Sequence, residues 1–134
     1  MVAYGAAWVA AAVAFLGIDA IWLTVTASRV YRPLLGDLLR PDYLLAPAAL
    51  FYIVYTIGIV IFAVAPALDG GRWTGATLRG ALFGFVAYAV YDLTNQATIR
   101  SWPVTVTVMD LAWGTALTSV AAAAGFVSAR AAGG

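Results

Sequence analysis

The chain has 134 residues, 64% of them hydrophobic and 10% charged, with a net charge of +1 and a mean hydropathy of +0.95. Soluble domains carry about 25% charged residues, so this chain cannot cover a water-facing surface, and its near-neutral charge argues against a nucleic-acid binder. The composition is that of an integral membrane protein. Without cysteine or histidine, disulfides, thiolate chemistry and histidine-held haem, zinc or iron are excluded. Only an all-oxygen aspartate site for a hard cation stays open; the expectation is no metal and no cofactor.

Four apolar segments follow one another, at about 3–26, 44–68, 76–99 and 104–127. Each is near the ~20 residues that cross a hydrocarbon core as a helix. None alternates with period two, so helices are expected rather than a barrel, and a helix satisfies its own backbone groups in lipid. The first segment has a small-residue stretch, Val25-Thr26-Ala27, that resembles a signal cleavage site. Its start lacks basic residues and its apolar run is too long for a signal peptide, so it is read as a span. The whole chain is expected to form one all-α, integral membrane four-helix bundle running up-down-up-down.

Between the first two spans lies SRVYRPLLGDLLRPDY, residues 28–43. Leu34, Leu35, Leu38 and Leu39 recur at helical spacing among Arg29, Arg32, Asp37 and Arg40, with Pro33 suited to a first turn and Pro41 to a stop. A short amphipathic helix lying in the interface is expected here. DGGRWTG forms a turn before the third span and RSWPV a tight one after it. Trp8, Trp73 and Trp102, near span ends, are expected in the interfacial aromatic belt. Arg29, Arg32, Arg40 and Arg100 fall on one side, and Arg72, Arg79 and Arg130 on the other. The difference slightly favours a cytoplasmic long connection in a bacterial cytoplasmic membrane.

Three aspartates fall inside the spans. Asp19 lies about seven residues before the end of the first, Asp92 about seven before the end of the third, and Asp110 about six after the start of the fourth. At 1.5 Å per residue this sets all three about 10 Å below one surface of the bundle. On the third span Gly80, Gly84, Tyr88 and Asp92 follow at four-residue intervals, and Asn95 extends the stripe. Glycines at this spacing allow close helix approach, so the same stripe turns Asp92 inward; Gly114 shares the face of Asp110. A charged residue in a membrane helix costs about 2.5–3.5 kcal/mol and defaults to a functional reading. Asp19, Asp92 and Asp110 are therefore the candidate acid/base groups. Trp22, Tyr52, Tyr55, Tyr88, Tyr91, Asn95 and Trp113 are candidates to bind and orient a substrate, and Gly80, Gly84 and Gly114 are assigned to helix packing.

The segments LGIDAIWLTVTASRVYRPLLGDLL, ALFYIVYTIGIVIFAVAPAL, GALFGFVAYAVYDLTNQATIRSWP and VMDLAWGTALT resemble a bacterial membrane-protein family catalogued as domain of unknown function 2177 (DUF2177). The resemblance runs from about Phe15 to Ala122. It covers Asp19, Trp22, Tyr31, Tyr52, Tyr55, Tyr91, Asp92, Thr94, Asn95, Thr98, Trp102, Pro103, Asp110, Trp113 and Gly114. It implies no established activity. Members of that family often sit beside genes for cyclopropane-synthase-like methyltransferases and flavin amine-oxidase-like proteins, which implies a loose association with lipid modification. The reading that follows is a multi-pass protein that binds or modifies a lipid-like substrate, with membrane lipids as partners. Two alternatives stand beside it: a non-catalytic subunit docked on other membrane-protein subunits, and a proton-coupled small exporter.

Overall fold

The computed structural model describes residues 1–42 and 44–134. Four helices dominate: α1 (Val2–Leu38), α2 (Leu45–Gly70), α3 (Trp73–Thr98) and α4 (Val104–Ala131). Among the described residues, α1, α2 and α4 are long and apolar enough to cross a membrane. The third helix has the length, at 26 residues. It carries Arg79, Asp92, Asn95 and Gln96, which lower its apolarity.

Neighbouring helices run antiparallel, as paired contacts show. Trp8 Nε1 donates to Thr56 Oγ1 and Tyr52 Oη to Asp19, so α2 ascends as α1 descends. Gly58 lies against Phe83, and Gly75 against Ala67, which sets α2 against α3. Gly84 meets Gly114, while Gly80 meets Ala122, giving the same relation for α3 and α4. Gly125 abuts Ala7 and Ala11, closing the ring between α4 and α1. The core at the end shared by both termini is built from small residues: Ala7, Ala11, Ala63, Ala121, Ala122 and Ala129, with Phe15, Ile59, Val64 and Leu117. Small side chains suit a membrane bundle, where close van der Waals contact rather than water exclusion drives association.

The stretch read as a separate interfacial helix is instead the end of α1. Helix continues past Thr26 through a π-helical turn (Ala27–Tyr31), an α turn (Arg32–Leu35) and a 3₁₀ turn (Gly36–Leu38). No glycine or proline stands between Ile18 and Arg32, so nothing stops the helix where the sequence pattern changes. Gly36, with a φ of 53°, ends the α turn instead. Tyr43, the last residue of that amphipathic stretch, lies outside the described residues.

A second π-helical turn, Val60–Val64, interrupts α2. Each of the two wide turns ends two residues before a proline, Pro33 and Pro66. Proline has no N–H to give the carbonyl four residues back, and its ring collides with that carbonyl. Widening the preceding turn moves the carbonyl aside and lets the helix run on.

Candidate functional site

The end of the bundle that holds the α1–α2 connection is not filled. There, a cavity of about 590 Å³ opens between the end of α1, the start of α2, the end of α3 and the start of α4. The end of α1, the connection after it and the start of α2 contribute Leu35, Leu38, Leu39, Leu44, Leu45 and Ala48, with Arg40 among them. The rest of the lining, the inner wall, is Asp19, Trp22, Leu23, Ala27, Tyr31, Tyr88, Tyr91, Trp102, Val106, Asp110 and Trp113. An apolar concavity with a few converging polar groups is the usual form of a small-molecule site.

On the inner wall, Asp19, Trp113, Trp22, Tyr31 and Asp110 form one connected network. Asp19 is only 8% exposed, and both its oxygens are held: Trp113 Nε1 donates to Oδ1 at 3.1 Å, and Tyr52 Oη donates to Oδ2 at 2.7 Å. The indoles of Trp113 and Trp22 stack with centroids 4.2 Å apart and planes 11° from parallel. Trp22 Nε1 donates to Tyr31 Oη at 3.2 Å, and that hydroxyl donates in turn to Asp110 Oδ1 at 2.6 Å. Two carboxylates on different helices are thus joined through an indole pair. Hydrogen bonds to a charged acceptor are among the stronger ones a protein makes.

Asp92 completes the layer from behind. Its side chain is fully buried at 0% exposure, lies beside Asp110 and does not line the cavity. Neither of its oxygens meets a backbone N–H, amide or hydroxyl donor; its polar neighbour is the Asp110 carboxyl, to which a proton on either acid bonds, and Gln96 Oε1 one turn further along α3 has no donor. A buried acceptor without a donor is costly, which marks this spot as chemically unfinished.

Other sequence candidates are placed as follows. Tyr88 and Tyr91 line the cavity, Tyr91 being 58% exposed. Tyr52 reaches Asp19 from outside the cavity wall. Tyr55 turns away, pairing its hydroxyl with Thr118 Oγ1 at 2.7 Å and stacking on Phe83. Asn95 is half-buried one turn beyond Asp92 and is not part of the wall. Gly114 seats Tyr88: a methyl group there would overlap the tyrosine ring. Gly84 leaves room for the Gly114 carbonyl and Thr118, and Gly80 for Ala122.

Trp102, which was not among the sequence-derived site residues, lines the cavity, donates to Thr107 Oγ1 at 3.1 Å and meets Tyr91 edge-on. Proline at 103 and the start of α4 fold the indole back over the helix end. Tyr31 was part of the family pattern but not of the sequence-derived site. In an unbroken α-helix, nine residues put Trp22 and Tyr31 about 180° apart around the axis. The π turn over Ala27–Tyr31 undoes that opposition. The only sequence signal for it was the proline two residues on.

A helical bundle with spanning apolar helices and an inward-facing polar layer defines a multi-pass membrane protein. The chain belongs to the family described as Predicted membrane protein (DUF2177), which it matches over residues 4–127. No curated protein and no solved structure matches it.

Proposed function

We propose that this protein holds the polar end of a lipid-like amphiphile in the cavity between its four helices. The observation that carries the reading is the cavity's mixed lining, which combines leucines and other apolar side chains with aspartate, tyrosine and indole. A purely apolar void would serve any alkyl chain, and a purely polar one would fill with water. The pairing of the two suits a molecule that is itself divided. The volume, about 590 Å³, is in the range of roughly 300–1,000 Å³ of small-ligand sites. Asp19 and Asp110 are the acids that such a ligand meets, and Asp110, with Asp92 behind it, is the group available for proton transfer to the bound molecule. The helical architecture supports a bacterial cytoplasmic membrane as the setting, since outer-membrane proteins are typically barrels.

The test is to fill the space. Ala48 lines the cavity and is only half-buried, so Ala48→Trp places an indole in the void at little cost to the core. Native mass spectrometry of the purified protein should show an amphiphile retained by the parent chain and lost from Ala48→Trp. Equal occupancy in both, or none in the parent, refutes the reading.

A further inference from the structure

We propose that the head group taken by this cavity is cationic, an amine or quaternary ammonium carried on an apolar tail. The inference rests on the amphiphile reading above and narrows it to one charge class.

The first support is a shortage of donors. Asp19, Asp92 and Asp110 bring six carboxylate oxygens to one region, and among the described residues three donors reach them: Tyr31, Tyr52 and Trp113. Those donors are spent. Trp22 Nε1 is committed to Tyr31, and Trp102 Nε1 to Thr107. On the inner wall the hydroxyls of Tyr88 and Tyr91 are the donors left to offer an anion such as a phosphate or a fatty-acid carboxylate. Acceptor oxygens outnumber them, with Asp92 fully buried against Asp110.

Charge points the same way. Asp19 and Asp110 line the cavity and Asp92 backs it, whereas Arg40 is the one basic side chain among the described lining residues. Arg40 is exposed and belongs to the connection after α1. An anionic head group entering the inner wall meets carboxyl groups whose ionised form it disfavours. A cation favours that form.

The third support is the aromatic lining. Trp22, Trp113, Tyr31, Tyr88, Tyr91 and Trp102 surround the same space. Trp22 and Trp113 each give one face to the other, so their outer faces and the rings of Tyr31, Tyr88, Tyr91 and Trp102 are what remain for a ligand. Aromatic faces attract cations, tryptophan most strongly, and cages of such rings are how proteins recognise ammonium groups.

Three ligands with the same twelve-carbon tail separate the possibilities: dodecyltrimethylammonium, laurate and monolaurin, titrated into the purified protein in maltoside micelles and followed by tryptophan fluorescence. The cationic ligand should bind at least about tenfold more tightly than the neutral one, with laurate weakest. Asp110→Asn should remove most of that preference. Since a change at Asp110 also breaks the bond from Tyr31, a second variant is needed that leaves the network whole. Tyr91→Leu alters an exposed ring that takes no part in the carboxylate bonds. It should weaken dodecyltrimethylammonium about two- to fivefold and monolaurin by less. Equal affinity for all three ligands, or a Tyr91→Leu protein with unaltered cation binding, overturns the cationic assignment while the amphiphile reading stands. Failure of every ligand to bind saturably overturns both.

Discussion

Replacing Gly84 by alanine tests whether the packing of α3 on α4 is as close as the structure shows. A methyl group at Gly84 would overlap the Gly114 carbonyl and come within 2.6 Å of Thr118 Oγ1 and 2.7 Å of its Cβ. The carbonyl is helix backbone and the Thr118 Cβ is fixed to its own backbone, so neither can swing aside; Thr118 Oγ1 alone has a second rotamer. The helices must separate by on the order of 1 Å to reach ordinary contact near 3.5–4 Å. Overpacking of this kind costs about 1–3 kcal/mol. Moving Thr118 also strains its bond to Tyr55, worth about 0.6 kcal/mol in a membrane bundle. Against this stands the gain of about 0.8–1.0 kcal/mol for alanine over glycine within a helix. The net expectation is a loss of roughly 1–2 kcal/mol. Gly17, also inside a helix, has nothing within 4 Å of the position a methyl would take. Gly17→Ala should therefore keep the propensity gain and lose nothing. Thermal unfolding of the two variants in the same detergent should shift in opposite directions. If Gly84→Ala is as stable as the parent, the close contact of α3 and α4 is refuted.

Three further outcomes follow from the polar network. Tyr31→Phe removes the hydroxyl shared by Trp22 and Asp110 and should destabilise the protein by about 1–3 kcal/mol. Its emission spectrum should change as the Trp22 N–H is released, and an unchanged spectrum would contradict the bond. Asp92→Asn puts an N–H₂ donor beside Asp110 in place of a carboxyl group; the unfolding temperature should stay level or rise, and a marked fall would show that the acid itself is structurally required. Trp113→Phe keeps an aromatic ring but loses the donor to Asp19 and the indole stack. Near-ultraviolet circular dichroism should lose the coupled-indole signal of the parent, and persistence of that signal would place the stack elsewhere.

Much of the architecture was legible because membranes leave few options. Apolar runs of spanning length without alternation can satisfy their backbone groups only as helices. The glycine stripe at 80 and 84 could be read as a packing surface because its spacing matches a helix face. The three aspartates were set at one level by counting residues, and the structure puts Asp19 and Asp110 on one cavity with Asp92 against Asp110. What counting could not supply was rotation about each axis. Tyr55 has the spacing of a pocket residue beside Tyr52, yet it faces Thr118. Tyr31 has the spacing of the opposite face, yet it bonds with Trp22.

Sequence alone was sufficient for the environment, the helical class and the family resemblance, because each depends on local composition, period or motif. Tertiary structure decided that α1 continues through Leu38 rather than stopping at the membrane edge. It also decided that a π turn brings Tyr31 round to Asp110, and that Asp92 stands behind the cavity rather than on its wall. The reason is geometric: one extra residue in a helical turn rotates everything after it by about 100°. No count along the chain reveals that rotation until the neighbouring helices fix where each side chain can go.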